Sequence, residues 1–186
     1  YGLFYPGIGS VIFRDTSCIP SELVFNINYL GGEMLNYSLN FSRSAAQVVL
    51  QYFNFIRLGK SGYTRIITNI MSNARYLEQR LLALDRFEIL TDMAFLPVVV
   101  LKLKDDRAYT VYQICEVLQE HGWAVPAYSL PPGADSIDVM RVVVKENFSH
   151  DMADMFAIHV ENALARLDED KPIRRKQSTR PERPIC

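Results

Sequence analysis

Several motifs that mark common kinds of site are missing from this chain. The three cysteines, Cys18, Cys115 and Cys186, lie far apart, without CxxC spacing or partner histidines. The sequence therefore predicts neither a disulfide framework nor a metal site. Walker, dinucleotide-binding, HExxH and GxSxG motifs are absent as well, which excludes the sites that those patterns build. Reduced thiols are typical of cytoplasmic proteins, so a cytoplasmic location is predicted.

Long apolar runs are also lacking. The longest is AFLPVVVL, residues 94–101, and Pro97 interrupts it, whereas a membrane helix needs roughly 18 to 20 apolar residues. Neither a membrane span nor a signal peptide is predicted. The chain is nevertheless 49% hydrophobic, which is enough for a sizeable core.

Positive charge is scarce in most of the chain and concentrated at its end. Residues 171–186 carry six of the 20 Lys and Arg residues and one of the 21 Asp and Glu residues, which leaves a net charge of −6 on the remainder. With three prolines and few apolar residues, this tail is predicted to be disordered. It lacks the interleaved aromatics of a nucleic-acid site and the tryptophan and apolar spacing of a calmodulin-binding helix, so neither partner is expected.

In the first 82 residues, hydrophobic patterns predict one strand and two helices. SVIFR, residues 10–14, reads as a strand. Residues 44–58 are apolar nearly all round a helix, which predicts burial on most sides and an end at Gly59. Ser61 can cap a second helix, with apolar residues recurring at three and four positions.

The rest of the chain predicts a small layered domain. The pattern reads strand, strand, helix, strand, strand, helix, over residues 87–91, 96–104, 111–122, 123–130, 137–145 and 149–167. Thr110 and Gln113 form a capping box for the helix that follows, and Gly122 closes that helix. Pro126 indicates an edge or irregular strand. This order predicts an α/β or α+β two-layer domain. We therefore divide the chain into an appendage (1–60), a small domain (61–170) and the tail (171–186).

Arg141 is the most informative candidate for chemistry. In DVMRVVVK it lies between Val139 and Val143 on one face of an apolar strand, where a buried guanidinium needs an anion. That anion could be a ligand carboxylate gripped by the planar fork. The alternatives are a salt bridge to an internal Asp or Glu, or a side chain that reaches solvent at the strand end.

Two further candidates lie in the stretch YLGGEMLNYSLNFSRS, residues 29–44. Ser42 could contact a phosphate at the start of the following helix, or Ser42 or Ser44 could simply cap that helix. Tyr29 could be an acid on a loop made mobile by Gly31 and Gly32, or a core tyrosine at a turn. The three histidines are isolated in sequence and are interpreted as structural.

Several segments together resemble the C-terminal part of the glutamate decarboxylases, a family of group II decarboxylases that use pyridoxal phosphate (PLP). They are the opening YGL…VIFRD, ELVFNINYLGGE, LNFSRSAAQVVLQYFNFIRLGKSGY, HGWAVPAYSL and DVMRVVVK. The resemblance is collinear over about residues 1–168. It implies the aspartate-aminotransferase-like fold (fold type I, α/β) with a small α+β C-terminal domain, and release of CO₂ from L-glutamate to give 4-aminobutyrate.

The resemblance also implies a role for each candidate residue. Arg141 would bind the substrate α-carboxylate, Ser42 would contact the PLP phosphate of a neighbouring subunit, and Phe41 would lie beside it near the substrate. Tyr29 and Leu30 match a loop that crosses to the other subunit's site, where the tyrosine supplies a proton. A homodimer or higher homo-oligomer with shared active sites is therefore expected.

In this family the lysine that binds PLP directly precedes a Tyr-Gly pair. The chain opens on Tyr1-Gly2, so we expect a fragment that begins one residue after that lysine and is inactive alone. Ser44 replaces a proline common in the family. Two alternatives stay open: a group II decarboxylase for tyrosine, aspartate or a similar amino acid, and a non-catalytic α/β module.

Overall fold

The computed structural model describes residues 3–27, 34–37, 43–91, 95–104 and 109–169. The chain forms two compact units, Gly2–Tyr63 and Thr64–Cys186. No helix in the described ranges is long and apolar enough to cross a membrane.

The first unit contains little regular structure before its helix. Strands β1 (Phe25–Ile27) and β2 (Met34–Asn36) pair antiparallel, and two short 3₁₀ turns precede them. The predicted strand at residues 10–14 is wrong, since these residues are irregular and Val11 and Ile12 are 79% and 93% exposed. Extended chain becomes a strand only where a neighbouring strand pairs with it, and in the described residues none pairs with this segment.

Helix α1 (Ala46–Leu82) contains one break. At Gly59 the backbone has φ 56° and ψ −176°, a conformation that essentially only glycine adopts. The predicted interruption at Gly59 is thus confirmed, although helix resumes directly after it. We refer to residues 46–58 as the N-terminal half of α1 and to residues 60–82 as its C-terminal half.

The N-terminal half of α1 is not buried as the sequence predicted. Only Gln51 is buried in it, while most of its large apolar side chains are at least 40% exposed: Val48, Val49, Leu50, Tyr52, Phe53, Phe55 and Ile56. The prediction that most sides of this helix are buried is wrong for this chain, because the described residues do not cover them. An apolar surface of this extent is typical of an interface.

The second unit is a four-stranded sheet with helices. Its further elements are β3 (Phe87–Ile89), β4 (Val98–Leu103), α2 (Val111–Glu120), β5 (Ala127–Ser129), β6 (Asp138–Val143) and α3 (His150–Glu169). The strand order is β3-β4-β6-β5, and every neighbouring pair is antiparallel. The predicted order of strands and helices is confirmed, and β5, which follows Pro126, is an edge strand.

One core joins the helices to one face of this sheet. The C-terminal half of α1 contributes Ile70, Ala74, Leu77 and Leu81, all fully buried. Further contributors include Phe87, Val99, Leu101, Met140 and Val142 from the sheet, Ile114 and Leu118 from α2, and Phe156, Val160 and Ala163 from α3. The apolar spacing seen in the sequence therefore marks the buried side of each helix.

The ends of α2 are formed as the sequence predicted. The Thr110 backbone N–H donates to Gln113 Oε1 at 2.9 Å, within the capping box. Beyond the helix, Gly122 has φ +83°, the backbone region that favours glycine after a helix end.

Candidate functional site

The predicted site residues fall in two groups. Tyr29, Leu30, Phe41 and Ser42 lie outside the described residues, so their roles stay predictions. Arg141 lies on β6 in the second unit. The geometry of a site can therefore be built around Arg141.

Arg141 is on the sheet face opposite the core. Along β6, Met140 and Val142 join the core, whereas Arg141 is exposed. Strand residues alternate between the two faces, and the helices pack against the other one. The prediction of a buried Arg141 is therefore wrong: Arg141 itself is exposed, although Val139 on the same face is fully buried, and it is Met140 and Val142 on the other face that join the core.

In the part of the chain that the structure describes, Arg141 has no carboxylate partner. Val100 of β4 is its directly opposed partner, and the Arg141 backbone N–H donates to the Pro126 carbonyl at 3.0 Å. None of the ion pairs among described residues involves Arg141. The alternative of an internal salt bridge thus finds no support there, whereas the exposure of Arg141 fits the alternative of a side chain that reaches solvent. In that position the guanidinium has its donors available for a ligand.

Tyr128 is the side chain that contacts this guanidinium. Arg141 Cζ lies 5.7 Å from the centroid of the Tyr128 ring, within the range of a cation–π interaction. Tyr128 is directly opposed to Val139, two residues before Arg141, so the ring and the guanidinium are diagonal neighbours on one face. The sequence analysis did not identify Tyr128.

A second cation on the same sheet differs from Arg141. Lys102 of β4 is directly opposed to Glu88 of β3, and its Nζ lies 2.8 Å from Glu88 Oε2. By alternation from Val100, Lys102 lies on the Arg141 face. Lys102 is therefore paired with an internal carboxylate, whereas Arg141 has no such partner among the described residues.

Polar contacts hold β5 against β6 and α2. Ser129 Oγ donates to Asp138 Oδ1 at 2.7 Å, and the Tyr112 hydroxyl of α2 lies 3.3 Å from the same oxygen. Ser129 and Asp138 are directly opposed residues of the two strands. These contacts fix the register that places Tyr128 beside Arg141.

Helix α1 begins at Ala46, shortly after Ser42, the residue predicted to contact a phosphate. The Ala46 backbone N–H donates to Ser44 Oγ at 3.2 Å, so Ser44 takes the capping role that had been open between Ser42 and Ser44. In the sequence analysis Ser44 stood in place of a proline. The capping contact explains why a serine fits there, because serine is one of the residues preferred at a helix N-cap. Backbone N–H groups at a helix start suit a phosphate.

The histidines are not isolated in space. His121 and His159 stack with ring centroids 4.3 Å apart, and Trp123 Nε1 donates to His159 Nδ1 at 2.8 Å. His150 stacks on Tyr76 at 4.2 Å. Each histidine thus packs against other rings, and in the described ranges no group of three His, Cys, Asp or Glu side chains could hold a metal ion.

A cleft of about 360 Å³ lies at the start of α3. Asn69, Asn73, Ser149 and His150 are among the residues that line it, and Arg141 and Tyr128 are not. Asn73 Nδ2 donates to the Phe148 carbonyl, and Ser149 Oγ accepts from the Met152 N–H. These contacts serve the packing of α3 on α1, so the cleft is distinct from the Arg141 face.

Cys115 is not poised as a nucleophile. Burial raises the pKa of its thiol to about 11, and the nearby Glu116 charge adds to the rise. A thiol with so high a pKa carries little thiolate at neutral pH.

Comparison with known proteins supports the likeness inferred from the motifs. Residues 1–104 match the family model described as the pyridoxal-dependent decarboxylase conserved domain. A glutamate decarboxylase of Solanum lycopersicum is 43% identical over 172 residues, which are 92% of this chain and 34% of that protein. Glutamate decarboxylase beta of Listeria innocua is 41% identical over 170 residues, 90% of this chain and 37% of the relative. The chain spans about a third of the length of these relatives.

Solved structures confirm the expected fold. The glutamate decarboxylase of Lactobacillus brevis superposes with a TM-score of 0.78 at 37% identity, covering 86% of this chain and 36% of that one. A sphingosine-1-phosphate lyase of Burkholderia pseudomallei gives a TM-score of 0.63 at 17% identity, over 77% of this chain and 30% of that one, a likeness of fold alone. The predicted aspartate-aminotransferase-like (fold type I) α/β fold is thus confirmed.

Proposed function

Because the chain belongs to the pyridoxal-dependent decarboxylase family, we propose that it is part of a glutamate decarboxylase, which converts L-glutamate to 4-aminobutyrate and CO₂. The observation that carries this proposal is the 39 to 43% identity to glutamate decarboxylases of plants and bacteria over about nine-tenths of the chain. The activity is that of the full-length protein, for which we also propose a cytoplasmic location.

The cofactor of the proposed reaction is PLP. When bound, it accepts the electrons that the departing carboxylate leaves on the substrate Cα. Ser42 would contact the phosphate of the PLP bound in a neighbouring subunit, and the start of α1 next to Ser44 offers backbone donors of the kind that such an anion requires. This donor set fits the group.

Arg141 would bind and orient the substrate through its α-carboxylate. Its guanidinium is exposed, stands on the sheet face away from the core and has no carboxylate partner among the described residues. A planar fork can donate two parallel hydrogen bonds to one carboxylate. Holding that carboxylate fixes the direction of the bond that breaks.

The remaining predicted residues would complete the site across a subunit interface. Tyr29, with Leu30 beside it, would reach the partner's site and hold the proton that is delivered to the substrate Cα. Phe41 would line the substrate beside Ser42. Support for a homo-oligomer comes from the exposed apolar side chains of the N-terminal half of α1, because a surface of this kind needs a cover.

A panel assay tests the reaction. The full-length protein, supplied with PLP, is incubated with glutamate, aspartate, tyrosine and related amino acids, and the amines formed are separated and quantified. We expect 4-aminobutyrate from glutamate as the main product. Preferred release of another amine would support a different group II decarboxylase, and no amine from any substrate would support a non-catalytic module.

A charge-conserving substitution tests the role of Arg141. Arg141→Lys keeps the positive charge but loses the bidentate fork, so kcat/KM for glutamate should fall by at least about tenfold, or roughly 1.4 kcal/mol. Arg75→Lys, at an exposed arginine of α1, is the matched control and should leave the kinetics unchanged. Near-normal kinetics of Arg141→Lys, with PLP content preserved, would eliminate the substrate role.

A further inference from the structure

We infer that Tyr128 is a positioning residue for Arg141: its ring holds the guanidinium on the open sheet face in an orientation that leaves the N–H donors available for a carboxylate. This inference rests on the proposed function, because it assumes that Arg141 binds the substrate carboxylate. It adds a residue that does not itself touch the reacting atoms.

The contact between Tyr128 and Arg141 follows from the pairing of strands β5 and β6. Tyr128 lies on the edge strand β5, directly opposed to Val139, and the Arg141 N–H donates to the carbonyl of Pro126, the residue just before that strand. Two backbone contacts of one strand pair therefore set the separation of ring and guanidinium, which is 5.7 Å.

Side-chain hydrogen bonds also hold β5, the strand that carries Tyr128, against its neighbours. The next residue, Ser129, bonds to Asp138 at 2.7 Å, and Tyr112 of α2 reaches both side chains at 3.3 Å. An edge strand without such contacts has one free side and frays easily. The contacts among Tyr112, Ser129 and Asp138 therefore hold Ser129 in place, and with it the ring of the preceding residue, Tyr128.

Among the described residues, the side chains next to Arg141 on its own strand and across the sheet are apolar. Arg141 is flanked by Val139 and Val143 on its own strand and faces Val100 across the sheet, and none of these side chains accepts a hydrogen bond. An arginine has several rotatable bonds and loses rotamer entropy when it is fixed. The described residues offer Tyr128 as the partner that limits this freedom before substrate arrives.

The kind of contact suits the proposed task. A carboxylate partner would neutralise Arg141 and compete with the substrate, as Glu88 neutralises Lys102. An aromatic ring attracts the cation through its quadrupole and occupies none of the N–H donors with an acceptor oxygen. The guanidinium is therefore held and still able to grip a carboxylate with two parallel bonds.

The test compares two substitutions at Tyr128 in the full-length protein with PLP. Tyr128→Leu removes the ring and keeps an apolar strand residue, and Tyr128→Phe keeps the ring and removes the hydroxyl. We measure KM and kcat for L-glutamate and the inhibition constant of glutarate, a dicarboxylate that lacks the reacting amino group. Thermal unfolding and PLP content serve as checks on folding.

For Tyr128→Leu we expect KM and the glutarate inhibition constant to rise about two- to fivefold, the range for an exposed cation–π contact, with kcat changed much less. Tyr128→Phe should behave as the unsubstituted protein. A purely structural tyrosine would instead lower thermal stability and leave KM unchanged. Unchanged constants in Tyr128→Leu, or equal damage in Tyr128→Phe, would overturn the inference.

A double substitution separates this inference from the function on which it rests. If Tyr128 acts through Arg141, then Tyr128→Leu should have no further effect on glutarate binding in an Arg141→Ala background. A full additional effect there would overturn the positioning role and leave the role of Arg141 intact. If Arg141→Ala alone leaves glutamate KM and glutarate inhibition unchanged, the substrate role of Arg141 fails and the inference fails with it.

Discussion

The two halves of α1 both carry many apolar residues, but their surroundings are opposite. In the C-terminal half, Ile70, Ala74, Leu77 and Leu81 are fully buried in the core of the second unit. In the N-terminal half, Val49, Tyr52 and Ile56 are each more than 60% exposed. The comparison shows that apolar spacing predicts a helix and its apolar side, whereas burial depends on what packs against that side.

The difference also indicates which part of the chain buries its own apolar side chains. The second unit brings its own sheet, α2 and α3 to the C-terminal half of α1, so its apolar side chains cover one another. The N-terminal half would need partners, which we propose to be the remainder of the full-length protein and a second subunit. Three predictions sharpen or break this contrast.

The largest expected difference is between two leucines of α1. In the 186-residue chain, Leu77→Ala should lower the free energy of unfolding by about 2 to 5 kcal/mol, because it leaves a cavity in a filled core. Leu50→Ala, the matched substitution at a residue 40% exposed, should change it by less than about 1 kcal/mol. Urea unfolding followed by circular dichroism measures both, and equal losses would show that the N-terminal half is also packed.

A second difference concerns the two described cysteines. Cys18 is exposed and Cys115 is buried with its pKa raised to about 11. A rise of about two pKa units lowers the thiolate fraction about a hundredfold near neutral pH. In a Cys186→Ser variant at pH 8, a thiol reagent should therefore modify Cys18 at least about a hundred times faster than Cys115. Both thiols should react at similar rates in denaturant, and rapid modification of both without denaturant would contradict the compact second unit.

The smallest expected effect lies at the junction of the two halves. Gly59→Ala forces a side chain into a conformation with φ 56°, which costs about 1 to 3 kcal/mol for a residue other than glycine. Gly9→Ala is the control, because Gly9 has ordinary backbone angles and open space around it. A loss of stability only in Gly59→Ala would support the break, while a gain in both stability and helix content would mean that α1 can run straight.

Local patterns predicted most of the second unit. The Thr110–Gln113 capping box and Gly122 marked both ends of α2, and the periodic residues of α3 lie in the core as expected. The first unit was predicted less well, since residues 10–14 are irregular and the N-terminal half of α1 is exposed. Its apolar residues are suited to contacts that the described chain does not supply, so a pattern alone overstated its order and burial.

The site was predicted in the same uneven way. A charged residue inside an apolar strand singled out Arg141, but the sequence suggested burial where the structure shows an exposed face. Tyr128 escaped notice because its importance depends on strand register. The turn at residues 131–136, PPGADS, allows more than one pairing of β5 with β6. A shift of that pairing by one residue would turn Tyr128 to the other face of the sheet.

By itself the sequence determined the order of elements in the second unit, the break at Gly59 and, through its collinear motifs, the decarboxylase family. These are local or cumulative properties, set by helix periodicity, by the backbone freedom of glycine and by residue identity along the chain. Only the tertiary structure decided that Arg141 is exposed, that Tyr128 lies 5.7 Å from its guanidinium and that Lys102 is paired with Glu88. Those facts depend on strand order, on register and on which sheet face the helices cover, and each is fixed by contacts between residues distant in sequence.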